Sequence, residues 1–170
     1  MDLFDAIAKR ASVRNLEAVE IPEGDLVKIL DAGRRAPSGC NRQPFEFIVI
    51  RKAETIQALA AAQGCIGDVA CAIALVAEPE RSKWWLEDLA AATENMLLVI
   101  TALGYATVWI EGTLLRDEET HKRTLGVPEG YRLMILLPIG KAKGEAVQAP
   151  KRAMEEMVYW ERWGEGKGKG

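Results

Sequence analysis

Histidine is nearly absent: His121 is the only one in 170 residues. A serine–histidine–aspartate triad, or a metal site with a histidine ligand, would have to use it. It stands in the charged run Arg116-Asp117-Glu118-Glu119-Thr120-His121-Lys122-Arg123, and we read it as a solvated helix residue with no chemical role. Cysteine is scarce too. Cys40, Cys65 and Cys71 show no CxxC spacing, which speaks against a disulfide framework or a zinc site and fits a reduced, cytoplasmic compartment. An excess of positive charge is missing. The 22 basic residues against 25 acidic ones leave a net charge of −3, which argues against a nucleic-acid partner. No apolar run reaches membrane-spanning length; the longest region, Met96 to Ile110, is broken by Thr101 and Gly104. The opening Met1-Asp2-Leu3-Phe4-Asp5 is acidic and lacks the charge pattern of a signal peptide. With so thin an acid–base inventory, hard chemistry in this chain would fall to a bound cofactor.

What is present is a core. Hydrophobic residues make up 49% of the chain, enough for one globular domain, which we place at 1–163, followed by a low-complexity, frayed tail at 164–170. The richest stretch is Ala36-Pro37-Ser38-Gly39-Cys40-Asn41-Arg42-Gln43-Pro44, leading into the apolar Phe45-Glu46-Phe47-Ile48-Val49-Ile50. The second part reads as a buried strand. The first is a loop bounded by prolines and crowded with Ser38, Asn41, Arg42 and Gln43. Planar amides suit the edge of a heterocycle, although a well-capped surface loop accounts for the same residues. Upstream, Arg10-Ala11-Ser12-Val13-Arg14 places two cations and a hydroxyl on alternate positions. In an extended segment they would point one way and could surround a phosphate. Two arginines near a helix C-terminus also simply complement its dipole, the better reading of these residues alone.

The remaining pattern alternates helices with strands. A helix over 2–9 is expected, capped by Asp2, with Leu3, Phe4, Ile7 and Ala8 at helical spacing. A second opens at Ile21-Pro22 and ends near Gly33, and a short one covers 53–62. Cys71 to Ala77 reads as a buried strand, with Cys65 and Cys71 as small core residues. The adjacent Trp84 and Trp85 cannot both face a core, so one lines a pocket or an oligomer contact, unless both are partly buried. The longest helix spans about Trp85 to Leu103, with Leu86, Leu89, Ala90, Thr93, Met96, Leu97, Ile100 and Leu103 in the core stripe. Its Met96–Ile100 portion is apolar all round, which marks a central helix covered by its own sheet and by a second subunit. Strands follow at 105–110 and 132–139, separated by a charged helix from Asp117 to Leu125, with a turn at 140–144 and an amphipathic segment from Met154 to Trp163. Four strands with irregularly placed helices give one α+β domain with helices over a central mixed or antiparallel sheet.

In order, five pieces of this chain resemble the nitroreductase family of FMN-dependent oxidoreductases. They are Arg10-Ala11-Ser12-Val13-Arg14; Pro37-Ser38-Gly39-Cys40-Asn41-Arg42-Gln43-Pro44-Phe45; Asn95 through Leu103-Gly104 to Thr107-Val108-Trp109-Ile110; Pro138-Ile139-Gly140; and Lys151-Arg152-Ala153-Met154-Glu155-Glu156. Phe45 stands where the family usually has tryptophan, a change that keeps an aromatic ring.

The resemblance implies a three-layer nitroreductase-like fold and a domain-swapped homodimer with flavin sites at the subunit interface. It implies FMN as cofactor, with Arg10, Ala11, Ser12 and Arg14 at its phosphate and ribityl end and Lys151 and Arg152 adding charge at the phosphate. Pro37, Ser38, Gly39, Asn41 and Gln43 would meet the flavin from the other subunit, and Trp109, Ile110, Glu111 and Gly112 would pass its ring. The implied reaction moves hydride from NADH or NADPH through flavin N5 to a nitroaromatic, quinone or similar acceptor in ping-pong fashion, with no side chain as nucleophile. Cys40, Trp84 and Trp85 are the candidate substrate contacts, and no metal is expected. The C-terminal segment, Val158 to Trp163, would embrace the partner subunit. Two rivals share the fold: a flavin-binding redox sensor with Cys40 as its thiol, and oxygen-dependent chemistry on the flavin itself.

Overall fold

The computed structural model describes residues 1–166 of the chain. Helix α1 (Leu3–Lys9) begins as the sequence suggests: the Asp2 carboxylate accepts the Asp5 N–H at 2.8 Å. Such a cap contributes about 1 kcal/mol. A two-residue strand β1 (Leu16–Glu17) follows, then α2 (Glu23–Arg34), β2 (Phe45–Ile50), α3 (Ala53–Leu59) and β3 (Cys71–Ala77). The long α4 (Trp85–Ala102) leads through β4 (Ala106–Thr107) to α5 (Glu118–Leu125), β5 (Arg132–Ala142) and the single-turn α6 (Met154–Met157).

The sheet runs β1-β5-β3-β2, with β4 also on β5, and every ladder is antiparallel. The expected α+β class and helix-covered sheet are therefore found. Strand β3 explains the layering. Cys71, Ile73, Leu75 and Ala77 enter the core under α2 and α4, while Ala72, Ala74 and Val76 enter the core under α3 and α5. A strand buried on both faces must be apolar at every position, and all seven residues are. A bulge opposite Leu75 and Val76 inserts Met134 into β5, so Met134 and Ile135 both reach the first core. Gly33 brings α2 against α4: a side chain there would meet Met96 Sδ at 2.8 Å and Phe47 Cζ at 2.9 Å.

Several expectations are corrected. The strand at 105–110 is ladder-paired only over Ala106–Thr107, with Ile110 making a separate bridge to Leu136. The turn expected at 140–144 begins later, because Gly140, Lys141 and Ala142 continue β5 by pairing with β4 and β1. That pairing also creates the strand at Leu16–Glu17, too short to leave a pattern in the sequence. Strand β2 has the expected bounds but lies at the sheet edge, where Glu46 and Val49 are exposed. Leu86 is 49% exposed and outside the core stripe of α4.

His121 is not solvated. It is 4% exposed, and its Nδ1 is buried without a hydrogen-bond partner among the described residues. Its spacing from Leu125 puts it on the face of α5 that packs on the sheet. The amphipathic segment from Met154 to Trp163 is helical only over Met154–Met157. Of the tail expected at 164–170, residues 167–170 lie outside the described residues. Before them the chain turns back, the Trp160 N–H donating to the Glu165 carbonyl at 3.1 Å.

Candidate functional site

The Arg10–Arg14 segment leaves α1 in an extended path. The Val13 N–H donates to the Thr107 carbonyl at 2.9 Å, and Ser12 bridges Thr107 in parallel. This tie fixes the alternation, and Ser12 and Arg14 are exposed. Arg10 makes one long contact with Glu94 of α4, 3.5 Å between Nε and Oε1. Arg14 makes no ion pair or hydrogen bond within the described residues. The Gln148 amide donates to the Arg10 carbonyl at 2.8 Å and to the Ile7 carbonyl at 3.1 Å. Lys151 follows three positions later, so its Cα lies within about 11 Å of the Gln148 Cα. Lys151 is exposed, and Arg152 turns to Glu156 at 3.3 Å.

The polar loop is a second centre. Its backbone folds as a tight turn in which the Asn41 N–H reaches the Ser38 carbonyl and the Arg42 N–H reaches that of Gly39. The Ser38 hydroxyl accepts the Gln43 N–H at 3.0 Å, and the Gln43 amide donates to the Asn41 carbonyl at 3.1 Å. Cys40, Asn41 and Gln43 have φ of 52°, 55° and 47°, where residues other than glycine are uncommon. What anchors this shape to the fold leaves no mark in the local sequence. The carboxylate of Asp88, in the first turns of α4, accepts the Gly39 N–H at 2.8 Å and the Ser82 hydroxyl at 2.9 Å. Pro37 and Cys40 are exposed, and Trp84 packs on Gly39. Trp85 is half-buried against the core, while Trp84 is 38% exposed.

Beside this loop lies an open groove of about 730 Å³ between α2 and the β2 edge. Phe45 and Phe47 stack at its floor, their centroids 5.7 Å apart, and Arg34, Arg42 and Arg81 stand around it. Hydrogen bonds from Arg35 and Arg34 hold the Asp31 carboxyl below the usual carboxylate range. A third group is Trp109 to Gly112. The Trp109 indole donates to Glu111 at 2.9 Å, Ile110 is pinned to Leu136, and Gly112 is exposed.

One chain does not bring these groups together. Ala11 and Val13 adjoin Thr101 and Gly104 at the end of α4, whereas the polar loop sits on Asp88 at its start. Twelve helical residues, about 20 Å of helix axis, lie between these two points, and Arg10 reaches back as far as Glu94, six residues and about 9 Å along the axis from Asp88. The surface also carries large apolar groups without cover. Leu3, Phe4 and Ile7 of α1 are 61%, 81% and 49% exposed, and Met154, Trp160 and Trp163 are 69%, 52% and 87% exposed. Among the described residues there is no cluster able to hold a metal ion and no helix long and apolar enough to cross a membrane.

A sheet covered by helices on both faces, with two polar centres set apart along one long helix, defines a class, and comparison with known proteins gives it a family. The nitroreductase family model matches residues 7–70 and 57–141. A relative in Archaeoglobus fulgidus, named provisionally as an NADH dehydrogenase/NAD(P)H nitroreductase, is 33% identical, covering 92% of this chain and 96% of its own. The crystal structure of a nitroreductase family protein from Clostridium novyi NT shares 31% identity at a TM-score of 0.78, covering 97% and 96% of the two chains. A provisionally named Desulfovibrio desulfuricans nitroreductase, crystallised in complex with FMN, shares 25% identity at a TM-score of 0.83, covering 96% and 98%. The chain belongs to the nitroreductase family.

Proposed function

We propose that this protein is an NAD(P)H-dependent FMN oxidoreductase that works as a homodimer. Family membership supports the class, and the FMN-bound relative supports the cofactor. The observation that carries the reading is the separation of its two polar centres along α4, together with the uncovered apolar surface of α1 and the C-terminal segment. A second copy would cover those side chains and bring the polar loop of one subunit to the Arg10–Arg14 segment of the other.

The donor set fits FMN. A phosphate carries about −1.5 to −2 charges and seeks charge-assisted hydrogen bonds. Arg14 and Lys151 are cations without an ion-pair partner among the described residues, the Ser12 hydroxyl is exposed, and Arg10 is only loosely held by Glu94. These residues, with Arg152 nearby, bind the phosphate end. The loop amides of Asn41 and Gln43 and the Ser38 hydroxyl hydrogen-bond the heterocycle. Trp109, Ile110, Glu111 and Gly112 line the ring, with Trp109 and Glu111 fixing each other. When bound, FMN supplies a two-electron carrier that takes hydride from NADH or NADPH and yields it to a nitroaromatic or quinone acceptor. The chain's own residues bind and orient; none needs to act as nucleophile.

The test is the visible absorption spectrum of the purified protein, before and after anaerobic NADH or NADPH. A flavin spectrum that bleaches, followed by steady NAD(P)H oxidation when a quinone is added, is the expected result. Absence of flavin even after FMN is supplied would overturn the reading.

A further inference from the structure

Beyond its own turn bonds, the polar loop is anchored to the rest of the fold by one buried carboxylate. Asp88 is 5% exposed and spends both oxygens locally: one on the Gly39 N–H at 2.8 Å, the other on the Ser82 hydroxyl at 2.9 Å. Ser82 is fully buried, and its oxygen in turn accepts the Trp84 N–H at 3.2 Å. The chain of bonds therefore runs from the start of α4 through Ser82 to the loop. Downstream of Gly39, three of the four residues from Cys40 to Gln43 hold positive φ. L-residues leave that region unless the surroundings fix them. Apart from the bonds within the loop and the Trp84 ring on Gly39, the other hydrogen bonds from the loop to the neighbouring chain are weaker: Arg42 Nη1 to the Arg81 carbonyl at 3.1 Å and Arg81 Nη1 to the Gln43 carbonyl at 3.3 Å, both exposed.

We propose that Asp88 is the positioning residue of this loop. By clasping the Gly39 N–H it sets the conformation in which Ser38, Asn41 and Gln43 present their polar groups to the cofactor, a role that rests on the flavin reading above. Asp88 itself is turned to Gly39 and Ser82, so it acts through the loop. A buried carboxylate is suited to the task. It has an acceptor for each donor and no hydrogen of its own to place. Asparagine keeps the acceptor for the Gly39 N–H; its amide can donate to Ser82 Oγ only if the Ser82 hydroxyl turns its own hydrogen away, so the clasp on Gly39 is kept and the Ser82 bond is reversed. Alanine keeps neither bond, and leaves the Gly39 N–H buried without a partner.

The test compares Asp88→Ala, Asp88→Asn and Ser82→Ala with the parent protein. Two quantities are read: amide hydrogen exchange of peptides covering 38–43 and 96–103 in the flavin-free protein, and FMN affinity by fluorescence titration. In Asp88→Ala the 38–43 amides should exchange at least about tenfold faster, the 96–103 amides should stay protected, and FMN should bind about tenfold or more weakly. Asp88→Asn should restore both to within about threefold, and Ser82→Ala should fall between. Unchanged exchange at 38–43 in Asp88→Ala overturns the proposal. So does faster exchange with unchanged FMN affinity, which would make the clasp merely structural. If Asp88→Ala does not fold, the contrast between Asp88→Asn and Ser82→Ala decides, and equal behaviour of those two overturns the proposal. If the parent protein takes no FMN, the flavin reading fails; the clasp then stands or falls on exchange alone.

Discussion

The Trp84 ring lies on the α-carbon of Gly39, so close that a β-carbon there would run into ring atom Cε3 and come within 2.9 Å of Cζ3. Gly39→Ala must therefore displace the ring. Trp84 is 38% exposed and can swing outward, so the cost should be moderate, about 1–3 kcal/mol. The expected signature is a red-shifted tryptophan emission with a lowered thermal midpoint and weakened FMN binding. An unchanged emission spectrum would mean that the contact does not hold in solution.

Arg10 and Arg14 offer the cleanest separation of binding from folding. Arg14 is exposed without an ion-pair partner, and the Arg10–Glu94 contact is long, with Glu94 half exposed. Losing either guanidinium should change stability by no more than about 0.5 kcal/mol. Losing a charge-assisted phosphate contact should weaken FMN binding by about tenfold or more. Arg10→Ala should thus purify with little flavin and an unaltered thermal midpoint. Full flavin content in that variant would remove Arg10 from the phosphate site.

The exposed face of α1 makes the assembly testable. Phe4 is 81% exposed and sits with Leu3 and Ile7 on a helix whose one buried residue is Ala6. A charge there costs the isolated chain little but is expensive inside an interface. Phe4→Asp should shift the protein from dimer toward monomer in sedimentation velocity, with flavin lost alongside. A protein that is monomeric before the substitution would refute the shared site.

How much of this was legible depended on whether a signal was local. Strands β2 and β3 carry contiguous apolar runs and appeared with their observed bounds at Phe45–Ile50 and Cys71–Ala77. Strand β1 has two residues and exists because Leu16 and Glu17 meet Ala142 and Lys141, partners 120 or more positions away. The same pairing carries β5 through Gly140, which alone reads as a turn. His121 misled because its neighbours are charged; burial on α5 follows the helical face, not the neighbours. In the site, the alternation of Arg10, Ser12 and Arg14 was visible, and the polar loop announced itself by composition. Asp88 did not, since one aspartate in the first turns of a helix is ordinary dipole chemistry until the fold carries Gly39 to it.

Acid stability should hinge on Glu118. Burial pushes its carboxyl up, but hydrogen bonds from Arg132 and the Leu133 N–H outweigh that and hold it below its ordinary value of 4.5. Arg132 Nε reaches both oxygens, at 2.9 and 3.0 Å, and the Leu133 N–H donates at 2.9 Å, so the pair locks α5 onto the start of β5. A carboxyl whose folded value is depressed contributes stability that is fully present above the unfolded value. That contribution is lost as pH falls from there through the folded value. Glu118→Gln keeps an acceptor but not the charge. It should lower stability at pH 7 by about 1–3 kcal/mol, measured as a shifted urea midpoint. Below about pH 4 the difference between variant and parent should shrink, because protonation removes the same charge from the parent. A difference that stayed constant down to pH 3 would show that the side chain acts through packing and not through its charge.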